Sequence, residues 1–339
     1  MSRPQRGSWV PAAAEPQLCC DLARATIGPR VRALHQAAGR TAAGGDPAGV
    51  HDTRVAARRL RSALGAFPAC LDETAREWGA VLRELGQMLG VARDAEVRLE
   101  RLQELLAPLA VAVDRSDELS PSQGAQAIVT GRTRPASRLD PSGQGHAAQR
   151  HLLDRAHQAD DEARQAAAAA LPTLLPLLGT APEVRPGHPQ SAPAAGLARR
   201  CLRRPFRRAG RWKVCAGPTP MIPLEAALHR RRIAIKRLRY GLECFAPVLP
   251  RVHRDCLVRL RELQDLLGHH QDLVVLAAWV HDEGQRAQPL LRPALRRQEV
   301  RIAHAARGVA GRAVAELERL DAAGYWPSAS AACRLPLAG

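Results

Sequence analysis

Apolar residues recur along this chain at steps of three and four, the spacing that lines one face of an α-helix, and no stretch alternates as a half-buried strand would. Alanine and leucine are abundant and aromatic residues make up only 3% of the chain, which suits helices better than sheets. The expected fold class is therefore all-α. Two stretches interrupt the helical pattern: Ser116 to Gly145, rich in Ser, Pro, Gly and Arg, and Thr180 to Pro193, punctuated by Pro182, Pro186, Pro189 and Pro193. The first reads as a flexible linker or insertion.

The pattern repeats. Val50-His-Asp-Thr-Arg-Val-Ala-Ala-Arg-Arg-Leu-Arg61 matches Leu228-His-Arg-Arg-Arg-Ile-Ala-Ile-Lys-Arg-Leu-Arg239, a shift of 178 residues from His51 to His229. The same shift carries Leu82-Arg-Glu-Leu, continuing to Gly90 and Asp94, onto Leu260-Arg-Glu-Leu, continuing to Gly268 and Asp272, without a gap. Over residues 50–67 and 82–97, 16 of 34 positions are identical at this one register, too many for coincidence. The chain thus reads as two pseudo-symmetric helical bundles built from an internal repeat. The expected boundaries are a tail at 1–17, a first repeat at 18–114, a linker at 115–145, a helical segment plus second repeat at 146–321, and a tail at 322–339.

At about 100° per residue, His51, Arg54, Arg58 and Arg61 share an arc of about 80°, with Leu60, Ala63, Leu64 and Phe67 roughly opposite. The second copy repeats the division, with His229, Arg232, Lys236 and Arg239 on one stripe and Leu238, Leu242 and Phe245 on the other side. Arg59, Arg237 and Tyr240 lie beside the stripes, and Glu243 is placed to pair with Arg239 one turn earlier. Charged helix faces ordinarily mix signs, because like charges one turn apart repel by a few tenths of a kcal/mol per pair. A purely basic stripe, present twice, points instead to an anion that offsets the repulsion.

Charge narrows the partner further. Fifty basic residues against 33 acidic ones give a net charge of +17, and only Lys213 and Lys236 are lysines. Arginine holds phosphate oxygens with a planar fork and does not lose its charge, so a phosphate-rich polyanion is the expected partner. The densest basic run, from Arg199 to Lys213 and including Arg203 and Arg207, would form a helical face that Pro205 bends or breaks; it either extends the binding surface or forms an unstructured arm. His51 and His229 could ligate a metal, accept a phosphoryl group, donate to phosphate, or simply bond at a helix start. His269 and His270 have no histidine counterpart in the first copy, which disfavours a repeated metal site, and no cofactor is expected. Asp94 and Asp272 each follow a glycine by four residues, a spacing that suggests helix capping. The eight cysteines show no CxxC spacing and the longest near-apolar run, Ala166 to Leu178, is broken by two prolines, so reduced thiols, no membrane span and a cytoplasmic location are expected.

The motif His-x-x-Arg-[Val/Ile]-Ala-x-[Arg/Lys]-Arg-Leu-Arg, present twice and followed in the second copy by Tyr240, resembles the CHAD family, the conserved histidine α-helical domain. The similarity extends to the Leu85–Asp94 and Leu263–Asp272 segments and runs from about Leu18 to about Leu320. It implies basic helices facing a shared groove or central channel, non-catalytic binding of inorganic polyphosphate, and association with polyphosphate granules. By motif position it assigns the lining to His51, Arg54, Arg58, Arg61, His229, Arg232, Lys236 and Arg239. Residues 1–50 carry no Glu-x-Glu-x-Lys motif, so a version without the triphosphate-handling CYTH domain is expected. The competing functions are a phosphoryl-transferring or polyphosphate-hydrolysing enzyme, which would need metal-binding carboxylates beside the phosphates, and a nucleic-acid-binding protein, for which stacking aromatics are scarce.

Overall fold

The computed structural model describes residues 19–43, 48–117, 143–178, 181–184, 194–210, 224–249 and 251–326. Residues 118–142 of the expected linker, the expected tail at 1–17 and residues 327–339 of the tail expected at 322–339 lie outside them. The described chain is helical, with an isolated backbone bridge between Leu71 and Val184 and no strand among these residues. Eight helices follow in order: α1 (Cys19–Ala42), α2 (Gly49–Ala66), α3 (Thr74–Asp117), α4 (Gln144–Leu174), α5 (Ala194–Gly210), α6 (Leu224–Phe245), α7 (Arg251–Arg286) and α8 (Arg292–Ala322). No described helix is long and apolar enough to cross a membrane.

Short 3-10 turns at Pro68–Cys70 and Ala246–Val248 separate α2 from α3 and α6 from α7, and the two turns stand 178 residues apart, the register of the sequence repeat. Sequential helices pack as neighbours except α4 and α5, and α2 also meets α6 while α3 meets α7. The apolar sides expected from the repeat are the buried ones: Leu60, Ala63, Phe67, Leu238, Leu242 and Phe245 are fully enclosed. Phe67 and Phe245, related by the repeat, pack against each other at a tilt with ring centroids 5.2 Å apart and tie the ends of α2 and α6 together.

The core divides across the two repeats rather than between them. One cluster takes residues from α1, α2, α5 and α6 together with the early parts of α3 and α7 and the late parts of α4 and α8. The second joins Leu99 to Leu106 of α3, Ala148 to Ala156 of α4, Leu273 to Val280 of α7 and Ala294 to Val309 of α8. The four longest helices thus extend past the others and build a second core between them.

Two local expectations are corrected. The helix α5 runs through Pro205 without a break, because Ala198, Leu202, Phe206 and Ala209 are buried along one side. Enclosing two large apolar side chains is worth about 1.5–3 kcal/mol each, enough to outweigh the roughly 3 kcal/mol an internal proline costs. Nor do Asp94 and Asp272 cap helices. Gly90 and Gly268 lie well inside α3 and α7, which continue past both aspartates.

Close approach explains one glycine. A Cβ on Gly49, at the start of α2, would lie 2.9 Å from Thr41 Oγ1 and 3.1 Å from Thr41 Cα, so α1 and α2 can meet only over a bare backbone. Beside it the buried hydroxyls of Thr41 and Thr53 bond to each other at 2.8 Å.

Candidate anion-binding site

Four helices, α2, α3, α6 and α7, surround a polar central cavity of about 370 Å³. His51, Arg54 and Arg58 enter from α2 and His229, Arg232 and Lys236 from α6, so one space receives six of the eight expected stripe residues. A side cavity of about 280 Å³ shares Arg58, Arg232 and Lys236 with it and adds Arg101 and His269. An outer cavity of about 640 Å³ shares Arg58 and Lys236 and continues to Arg61, Arg237 and Tyr240. Arg58 and Lys236 are common to all three spaces.

The stripe therefore lines three adjoining spaces, with one exception. Arg239 is buried, donates to Glu243 at 3.1 Å, lies 4.5 Å from the centre of the Tyr240 ring, and is absent from the three cavities. It braces α6 rather than facing the space. The pairing with Glu243 is the one its spacing suggested. Arg58 takes the other approach to Tyr240, with its guanidinium 5.3 Å from the ring centre. Arg59 is exposed and 4.0 Å from Glu243, while Arg203 and Arg207 point outward from α5.

Burial and crowding alter the cations themselves. The Lys236 amine, removed from solvent and surrounded by Arg232, Arg58 and Arg54, is pushed down to about 7, although Asp272 opposes the shift. Arg58 and Arg232 are also lowered, chiefly by burial. The buried Nε atoms of Arg58, Arg98 and Arg232 have no hydrogen-bond acceptor among the described residues. Nor does Arg54, Arg58, Arg232 or Lys236 make an ion pair with any described carboxylate. Positive charge is concentrated here, and Asp94 and Asp272 offset only part of it, an arrangement that costs stability unless an anion enters.

The histidines differ. Burial and Arg93 hold His51 below its usual range, so it is a neutral donor or acceptor at physiological pH. His229 Nδ1 lies 2.8 Å from Gln271 Oε1, which fixes the ring from α7. Among the described residues no three His, Cys, Asp or Glu side chains converge as a metal site.

Several lining residues were not singled out by the sequence: Arg93 and Arg98 of α3 and Gln271 of α7 face the central cavity, where Asp94 and Asp272, expected as helix caps, join them. Arg98 also lies 5.1 Å from the Trp279 ring centre. Burial raises Asp272, against the pull of Arg232 and Arg101, and its carboxylate is 3.9 Å from Arg101. Asp94, Arg98 and Arg101 are spaced four and three apart, one face of α3, and that spacing was the available signal. The repeat hid it, because the counterparts of Arg98 and Arg101 are Leu276 and Trp279.

The CHAD domain family matches residues 25–281. Among solved structures, PptA from Streptomyces chartreusis aligns with a TM-score of 0.51 and 20% identity, covering 87% of this chain and 97% of that one. The CHAD domain from the plant Ricinus communis aligns with a TM-score of 0.49 and 23% identity over 99% of this chain and 98% of that one. Comparison with curated proteins gives no match.

Proposed function

The chain belongs to the CHAD family, and from that premise we propose that the connected cavity binds inorganic polyphosphate without turning it over and thereby attaches the protein to polyphosphate granules. The observation that carries the reading is the convergence of Arg54, Arg58, Arg232 and Lys236 from two helices on one space, with no carboxylate paired to any of them among the described residues. A linear polyanion satisfies this arrangement better than a compact one, because the path continues from Arg101 through Lys236 to Arg61 across three cavities. Arginine forks hold successive phosphates, and Lys236 adds a cation whose charge depends on occupancy. The scarcity of aromatic platforms argues against single-stranded nucleic acid as the preferred ligand.

Binding of long-chain polyphosphate across a salt series, with single-stranded RNA as competitor, tests the reading. Affinity should fall steeply with salt, resist RNA, and collapse when Arg54, Arg58, Arg232 and Lys236 are replaced by alanine. Unchanged binding by that variant would remove the assignment. Phosphoryl transfer is the second reading, and it has one observation in its favour: Asp94 and Asp272 stand in the same wall as the arginines and could hold a divalent cation against phosphate. Shortening of polyphosphate with time in the presence of magnesium would establish it.

A further inference from the structure

A groove of about 720 Å³ lies outside the central path, between the end of α2 and the first turns of α3. Arg61 and Gly65 line both this groove and the outer cavity, so the two spaces adjoin at these residues. Beyond them Arg76, Gly79 and Arg83 follow at helical spacing along one face of α3. Arg61, Arg76 and Arg83 are exposed, and none pairs with a carboxylate among the described residues. Asp72, one of two acids at the groove, is already engaged: it accepts from Thr74 Oγ1 at 2.7 Å and from the Glu183 amide at 3.3 Å.

The two glycines are not there for packing. A Cβ on Gly65 or on Gly79 would meet nothing within 4 Å, although glycine inside a helix is less stable than alanine. Their bareness leaves the floor of the groove clear.

The second repeat shows what a closed version looks like. At the 178-residue shift, Gly65 corresponds to Glu243, Gly79 to Leu257, Arg61 to Arg239 and Arg83 to Arg261. Glu243 holds Arg239 at 3.1 Å and stands 4.0 Å from Arg261, while Leu257 is buried. One carboxylate thus engages the counterparts of two of the three groove arginines, Arg61 and Arg83, and a buried leucine stands at the position of Gly79. In the first repeat neither closure exists.

We propose that the groove is a one-sided exit track, along which a polyphosphate chain leaving the cavity past Arg61 lies over Gly65 and Gly79 against Arg76 and Arg83. The inference rests on the polyphosphate reading and adds to it a preference for chains long enough to fill cavity and track together. The chemistry is phosphate held by unpaired guanidinium groups, with the polymer's direction set by the closed second repeat.

Two variants and two ligands test it: Gly65→Glu, which should copy the Glu243 closure by pairing with Arg61 and Arg83, and the double change Arg76→Ala with Arg83→Ala. Tripolyphosphate, with three phosphates, is the short probe for the central cavity, and long-chain polyphosphate is the probe that can reach the track as well. Gly65→Glu should lower long-chain affinity roughly tenfold at low salt, and the double change should flatten the salt dependence by about 1.4, two contacts at roughly 0.7 each. Tripolyphosphate binding should be unaltered in both. If both variants bind long chains with wild-type affinity and salt dependence, or if both ligands weaken together, the track is overturned while the central cavity stands. If the wild-type protein binds neither ligand, the polyphosphate reading falls and the track with it.

Discussion

Lys236 should make polyphosphate binding take up a proton. In the free protein its amine sits near 7, lowered first by burial and then by Arg232, Arg58 and Arg54, with Asp272 pulling the other way. A bound phosphate restores the charged form, so at pH 8 about 0.9 proton enters with the ligand. Affinity should then fall roughly tenfold per pH unit between about 7.5 and 9, a window in which the internal phosphates do not titrate. Titration calorimetry in two buffers of different ionisation enthalpy counts the protons directly, and Lys236→Met should abolish both the uptake and the slope. The same substitution should stabilise the free protein. The folded state holds fewer protons than the unfolded one between about 7 and the ordinary lysine value of 10.5, so stability rises with pH through that window. At pH 8 the shortfall is about 2.5 units, or roughly 3 kcal/mol, which methionine would recover in denaturant unfolding. A wild-type affinity that is flat from pH 7.5 to 9, or a slope that survives in Lys236→Met, would refute the reasoning.

Other perturbations separate cavity from scaffold. Asp272→Asn removes a carboxylate that supports the charged lysine, so the midpoint of the pH dependence should move below 7, read by the same calorimetry. Glu243→Ala leaves the buried Arg239 guanidinium without the carboxylate its Nη1 donates to, which should cost about 3 kcal/mol in urea unfolding. Gly49→Val forces a side chain against Thr41 and should destabilise by about 1–3 kcal/mol, whereas Gly79→Ala, with open space around it, should stabilise by about 0.5–1 kcal/mol. Differential scanning calorimetry distinguishes the two glycines by the sign of the shift.

The helical class and the two stripes were legible because each depends on local spacing. Leu60, Phe67, Leu238 and Phe245 are enclosed, as a single-helix projection requires, and the opposite faces of α2 and α6 meet across the cavity. Arg239 shows the limit of that projection. It shares the stripe of Lys236, yet one turn of α6 carries it past the cavity to Glu243, and only the packing of α2 against α6 decides where the space ends. Asp94 and Asp272 were misjudged for a different reason. A glycine followed by an aspartate resembles a helix end locally, but the long apolar seams of α3 and α7 carry both helices through it. Pro205 likewise marks a break in isolation and is overridden by Leu202 and Phe206 in the core. Arg98 and Arg101 escaped because the repeat drew attention to identities, and the cavity wall on α3 differs from that on α7.

The chain's two lysines allow the central claim to be tested at a single residue. An amine-reactive label applied at pH 8, where Lys236 is largely neutral and nucleophilic, can be located by mass spectrometry at Lys236 and at Lys213. Long-chain polyphosphate should protect Lys236 at low molar ratio, and single-stranded RNA at equal phosphate concentration should not. Labelling of Lys236 that proceeds at the same rate with polyphosphate bound would place the polymer elsewhere and contradict the account.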